Sequence, residues 1–178
     1  VQVASEVAKA TENQLYIVGQ GSLDNPNEGL HLGSEQHIVH RLAVSPEERA
    51  ELLSNAKAVL MPTYYLEPFG GVNVEAQLCG TPVITTDWGT FSETVLHGVT
   101  GYRCRTIEEF CWAVKNISTI DPNNCREWAI KNYSMERVGK MYEEYFQRVA
   151  RMFDLGWYES NKERTELSWL ERYYPNVL

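Results

Sequence analysis

The sequence predicts an α/β fold, a parallel sheet with helices on both faces, and two observations carry that expectation. First, short apolar runs alternate with helical segments. The runs are Leu15-Tyr16-Ile17-Val18, His37-Ile38-Val39-His40, Ala58-Val59-Leu60-Met61 and Pro82-Val83-Ile84-Thr85. Strands covered on both faces read as continuous apolar runs, whereas half-exposed strands alternate. Second, glycine and proline punctuate the hand-overs between them, at Gly19-Gln20-Gly21, Pro62, Gly70-Gly71 and Gly80.

Taken in order, Val3, Val7 and Ala10 have helical spacing, so residues 1–10 read as a helix already under way where the chain begins. Leu15 to Val18 is a strand with a tight loop after it. Residues 22–36 are polar and read as an exposed loop. Ser45 is a helix cap, with Pro46 in the first helical position and Glu47 and Glu48 at the positive end of the dipole. Leu52 and Leu53 give that helix a buried face. A helix is expected from about Val72 to Leu78 with Gly80 ending it, then a short one near Ser92 to Leu96. Gly101 to Cys104 reads as a last strand. Beyond Thr106 the pattern is helical only, starting from a capping box at Thr106-Ile107-Glu108-Glu109. Ser134 begins a long helix with Val138, Met141, Tyr145, Val149 and Met152 on one side. The expected organisation is a nucleotide-binding domain over 1–133 and a helical C-terminal extension over 134–178. The tail carries Trp157, Tyr158, Trp169, Tyr173 and Tyr174, and exposed aromatics of that kind mark a docking face.

The 178 residues suffice for one domain with its own core plus an extension. A net charge of −8 argues against nucleic acid as a partner, since an acidic surface repels phosphate backbones. It leaves room for a small phosphorylated ligand bound by main-chain N–H groups. No apolar run approaches the roughly 20 residues of a membrane span. The N-terminus lacks a basic segment followed by an apolar one, so no signal peptide is expected and the localisation expected is cytoplasmic. The absence of an initiator Met suggests a chain that is processed or cut from something longer. Cys79, Cys104, Cys111 and Cys125 form no C-x-x-C pair and read as reduced structural thiols.

The segment richest in chemistry is Glu67-Pro68-Phe69-Gly70-Gly71-Val72-Asn73-Val74-Glu75-Ala76. It lies where a parallel strand hands over to a helix, the place where open α/β sheets bind ligands. Two glycines there admit a ligand to the main chain. The first N–H groups of the helix, from about Gly70 to Asn73, have no intrahelical partner and suit a diphosphate. Glu75, one turn in, suits a ribose diol, and Glu67 reaches the sugar beyond the phosphates.

Pro62, Glu67-Pro68-Phe69-Gly70, Val74-Glu75-Ala76 and Gly80-Thr81-Pro82-Val83-Ile84 together resemble the hallmark of GT-B glycosyltransferases of family 4, the retaining group related to glycogen synthase and sucrose synthase. The resemblance covers residues 1–145. It implies the Rossmann-like C-terminal half of a GT-B fold, lacking its first strand, and a nucleotide diphosphate sugar as donor. It implies Glu67 on the donor sugar as the candidate catalytic residue. Glu75 would bind the ribose, the amides of Gly71 and Val72 the diphosphate, and the main chain near Val44 the base. Gly19, Phe69, Gly70 and Asn73 complete the candidate binding set, although Asn73 fills a position usually apolar in the family. The family chemistry requires no metal or other cofactor. The Arg and Lys that neutralise the leaving diphosphate would precede Val1, as would the N-terminal domain with its acceptor contacts and catalytic His. The isolated chain is therefore expected to be inactive, with that missing domain as its partner and any peripheral membrane contact made through it. Glu93 reads equally as a site residue or a helix N-terminal acid. His31, His37, His40 and His97 read as surface or strand residues, and Arg41 and Arg49 as solvated charges. Two other readings stay open: a non-catalytic sugar-nucleotide-binding module, and a hydrolase using Glu67 and Glu75 as a carboxylate pair.

Overall fold

A computed structural model describes residues 1–155. In chain order the elements are α1 (Gln2–Ala10), β1 (Leu15–Val18), β2 (Asp24–Asn25), β3 (Leu30–His31), β4 (Ile38–Arg41), α2 (Pro46–Asn55), β5 (Val59–Met61), α3 (Gly71–Leu78), β6 (Val83–Thr86), α4 (Phe91–Thr94), β7 (Gly101–Cys104), α5 (Ile107–Asn116), α6 (Pro122–Tyr133) and α7 (Met135–Leu155). They fall into two units, the first Val1–Arg126 and the second from Glu127 on. The division lies inside α6, whereas the boundary expected from sequence, between 133 and 134, falls at the junction of α6 with α7.

In the first unit β5, β6 and β7 form a parallel ladder with β6 in the middle, Val59 opposite Val83 and Val83 opposite Gly101. A second parallel ladder pairs β1 with β4, Leu15 opposite Ile38. All four residues of β6 are buried, as its continuous apolar reading requires. Successive side chains of a strand point to opposite faces, and β6 shows this directly. Ile84 packs with Val7 of α1 and with Phe110, Ala113 and Val114 of α5. Val83 packs with Ala76 of α3, Phe91 of α4 and Val95. Both faces of the sheet are therefore closed by helices, and the carboxyl ends of β5, β6 and β7 share one edge. The loops that follow those ends hold Glu67, Asp87 and Arg105.

The helix starts follow their caps. Ser45 Oγ accepts from Glu48 N at 3.2 Å, with Pro46 in the first position. Thr106 Oγ1 accepts from Glu109 N at 3.2 Å. Four expectations are corrected. Residues 22–36 are not an uninterrupted loop: β2 and β3 pair antiparallel there around a short 3₁₀ turn. Leu52 and Leu53 are only half-buried, and α2 has no fully buried residue. The short helix runs over Phe91–Thr94 rather than Ser92 to Leu96. On α7, Val138, Met141 and Val149 are half-buried, but Tyr145 is exposed. The aromatic tail, with Trp157, Tyr158, Trp169, Tyr173 and Tyr174, lies outside the described residues. No described helix is long and apolar enough to cross a membrane.

All four cysteines are free, Cys104 and Cys125 buried and Cys79 and Cys111 half-exposed. Burial pushes the Cys104 thiol up to about 12 and that of Cys125 up to about 11. The thiolate is the reactive form. A disulfide reagent at neutral pH is therefore expected to label Cys79 and Cys111 in the folded chain and all four thiols only after unfolding. Rapid native labelling of Cys104, read by mass spectrometry, contradicts this packing.

Candidate functional site

The site is built on the turn that joins β5 to α3. Gly70 caps α3 in the left-handed region, at φ 69°. A Cβ there would lie 3.1 Å from Phe91 Cε1 and 3.3 Å from Glu67 Cγ, so glycine serves both the backbone angle and the close packing. Glu67 braces the turn from inside. Its Oε1 accepts from Gly70 N at 2.9 Å and from Phe69 N at 3.4 Å, and its Oε2 accepts from the Tyr65 hydroxyl. The Tyr65 hydroxyl holds the Glu67 carboxyl below the usual carboxylate range, and the two amides add to the effect. Glu67 is therefore ionised at neutral pH. The same bond pushes the Tyr65 hydroxyl up.

This brace corrects the expectation that the amides from Gly70 to Asn73 are all available. Phe69 and Gly70 donate to Glu67, and Asn73 N donates to Gly70 O at 2.9 Å. The amides of Gly71 and Val72, both exposed residues, make no hydrogen bond among the described residues. They stand at the positive end of α3.

The Asn73 side chain lies inside the protein, not at the mouth of the site. It is fully buried and donates to Thr94 Oγ1 at 2.9 Å while accepting from Gln77 Nε2 at 2.6 Å. Gln77 Nε2 also donates to Thr94 O at 3.0 Å. This network ties α3 to α4 and explains a polar residue where an apolar one was expected.

Glu75 is half-buried one turn into α3. Its Oε2 lies 3.2 Å from Arg49 Nε of α2, an ion pair without hydrogen-bond alignment. Arg49 is thus an exposed charge, as expected, and also a partner of a candidate site residue. Arg41 pairs with Glu48 at 2.9 Å. Gly19 ends β1 with its amide donating to Arg41 O at 3.1 Å, and Val44 is half-buried before α2. No hydrogen bond links either to the α3 turn among the described residues. Phe69 is exposed, as is Val72. The structure thus brings together Glu67, Phe69, Gly70, Gly71 and Val72, sets Glu75 along the same helix, and leaves Gly19 and Val44 outside that hydrogen-bonded cluster.

Two participants escaped the sequence reading. Tyr65 stands two residues before Glu67 in a run of exposed apolar side chains, and only that proximity pointed to it. Gly89, at φ 62°, lets the loop after β6 close on Glu67, where Thr90 N donates to Glu67 O at 2.9 Å. A Cβ on Gly89 would come 2.9 Å from both Glu67 N and Glu67 O.

The family model described as glycosyl transferases group 1 matches residues 1–134. The chain belongs to the group 1 glycosyltransferases. It is 26% identical over 150 residues to an uncharacterised glycosyltransferase of Methanocaldococcus jannaschii, covering 82% of this chain and 36% of that protein. It is 39% identical over 110 residues to a glycogen synthase of Mycobacterium tuberculosis, covering 58% of this chain and 26% of that one. The chain thus spans about a third or less of these relatives. Among solved structures, Anabaena HepE in complex with UDP-glucose superposes with a TM-score of 0.70 at 20% identity, over 83% of this chain and 44% of that one. That likeness establishes the fold: the alternation of strands and helices is that of GT-B glycosyltransferases.

The Gly89 contact generates a prediction. Gly89→Ala meets both a left-handed backbone and a main-chain clash, so it is expected to destabilise the chain by about 1–3 kcal/mol. Gly80 is also left-handed, but its nearest neighbour to an added Cβ is Pro122 O at 3.4 Å. Gly80→Ala is therefore expected to cost less. Urea midpoints compare the two, and an equal loss would mean that the Glu67 contact contributes nothing beyond backbone strain.

Proposed function

We propose that the chain is the donor-binding half of a retaining family 4 glycosyltransferase that moves a hexosyl group from a nucleotide diphosphate sugar to an acceptor. The observation that carries this is the pair of unbonded amides, Gly71 and Val72, at the positive end of α3, with carboxylates on either side. The amides hold the diphosphate, Glu75 takes the ribose diol, and Glu67 orients the sugar. Gly19 and the main chain near Val44 line the base end. In this reading the two parallel ladders belong to one sheet, joined by a strand that precedes the chain.

Transfer with retention passes through an oxocarbenium-like transition state, in which negative charge gathers on the departing diphosphate. Fixed N–H donors aimed at that charge stabilise it without reorganising. Glu67 is not the nucleophile here. Its carboxylate is spent on the turn and on Tyr65, and a sugar hydroxyl approaches an oxygen already held in place. The cations that complete the diphosphate site belong to the first strand and loop of this same domain, ahead of Val1, and the N-terminal domain of the whole enzyme adds acceptor contacts. The isolated chain accordingly binds donor without rapid transfer. The chemistry requires no metal, and the reading places the whole enzyme in the cytoplasm.

Calorimetry with UDP and UDP-glucose, or the corresponding GDP pair, tests the division of labour. Glu75→Ala is expected to weaken both ligands by about 1.5–3 kcal/mol, the range for a hydrogen bond to a charged group. Glu67→Gln retains an oxygen for the Gly70 amide and is expected to weaken only the sugar conjugate. Equal losses for both ligands in both variants would contradict the assignment.

A further inference from the structure

A cavity opens at the same edge of the sheet, beyond β6 and β7, with a volume of about 290 Å³. Its walls differ in kind from the turn at α3. Trp112 of α5 is about half exposed, and its ring meets Tyr102 edge-on at 5.1 Å between centroids, with His97 edge-on to Tyr102 from another side at 5.5 Å. His97 Nδ1 accepts from Arg103 N at 3.1 Å, which puts the proton of the neutral ring on Nε2. Trp112 is therefore an indole platform set against a fixed aromatic base.

The charged groups around that platform lie close to one another, although Arg103 Nε makes no hydrogen bond among the described residues. Asp87 Oδ2 accepts from Arg105 Nε at 2.9 Å and lies 2.8 Å from Arg105 Nη2, while Asp87 Oδ1 lies 3.5 Å from Arg103 Nε. Glu109 Oε2 accepts from Arg105 N at 2.6 Å. Asp87 thus faces both guanidinium groups, and Glu109 is held by the Arg105 main chain. With Asp87 and Glu109 beside Arg103 and Arg105, a phosphate or other anion meets no net positive charge here. A ligand that both donates and accepts, as vicinal hydroxyls do, can bridge such pairs without breaking them. The volume stands at the small end for ligand sites, which suits one ring and not a nucleotide.

We infer that this cavity binds a neutral pyranose ring, one apolar face on Trp112 and its hydroxyls on the Asp87–Arg105 and Arg103 groups, as a sugar unit of the acceptor. The inference rests on the transferase reading for its source of sugar, but the chemistry of the cavity is its own. The loop after β6 connects the two places. Asp87 is in the cavity wall, and two and three residues later Gly89 and Thr90 press on Glu67. A sugar seated on Asp87 therefore bears on the loop that positions the donor carboxylate.

Methyl glycosides of glucose, mannose, galactose and N-acetylglucosamine are the probes, titrated into the full chain and followed by NMR at the Trp112 indole N–H and at the Arg103 and Arg105 amides. At least one glycoside is expected to give saturable shifts with a Kd on the order of 1–10 mM, the range a ligand of that size reaches. Trp112→Ala is expected to weaken it about tenfold or more, and Trp112→Phe, which keeps a ring and guards against a folding defect, to weaken it less. UDP affinity by calorimetry stays unchanged in both variants. No saturable shift with any glycoside overturns the inference. So does an undiminished affinity in Trp112→Ala, or inorganic pyrophosphate shifting these signals in place of the sugars. Loss of UDP binding by the unsubstituted chain, with glycoside binding intact, would remove the donor reading and leave the pyranose site standing.

Discussion

One carboxylate organises the edge of the sheet. Glu67 accepts from two amides of its own turn and from Tyr65, and its main chain carries Thr90. Remove these bonds and Gly70 loses the partner that fixes its left-handed geometry, α3 loses its entry angle, and the loop after β6 loses its seat. A carboxylate bonded to main-chain N–H groups is favoured as the anion. Protonation therefore works against the turn. The folded value is lowered, so the contribution is present above the ordinary carboxylate range and fades as pH falls through the folded value. In the proposed function, the charge that Glu67 offers to sugar hydroxyls is also the charge that shapes the turn.

The same economy shows in what the turn leaves over. With Phe69 and Gly70 engaged by Glu67, and Asn73 by Gly70, only the amides of Gly71 and Val72 face outward without a partner among these residues. Behind them the Asn73–Gln77–Thr94 network holds α3 to α4 through buried hydrogen bonds. Such a network specifies one arrangement because each buried polar group costs free energy when left unmade. Gln77 Oε1 is one group this network does not satisfy. The rigid placement of α3 is thus purchased with polar contacts on one side and the Val83–Phe91–Ala76 packing on the other.

The strands were legible because each is short and carries an apolar run near a glycine or proline; burial on both faces produces that pattern in β6, whereas β1 shows it with Tyr16 and Val18 exposed. The helix starts at Ser45 and Thr106 were legible because capping is local. The hairpin of β2 and β3 was not, since two-residue strands carry no period. The half-burial of Leu52 and Leu53 was not, because it depends on what packs over α2. At the site, the Glu67 to Glu75 segment declared the turn and its glycines. What stayed hidden was tertiary: the Arg49 pairing with Glu75, the inward turn of Asn73, and the approach of Gly89 to Glu67 across about twenty residues of chain. The bond from the Gly70 amide to Glu67 is local, yet the sequence pattern does not distinguish a carboxylate that caps its own turn from one that faces a ligand.

The claim most exposed to test is that the N-terminus of α3 receives a diphosphate. A ¹H–¹⁵N spectrum of the chain titrated with UDP reads it directly. The largest amide shifts are expected at Gly71 and Val72, with a smaller response at Glu75 and little change at Gly70, whose amide already has a partner. Saturable UDP binding that leaves Gly71 and Val72 unmoved, or no binding at all, would contradict it.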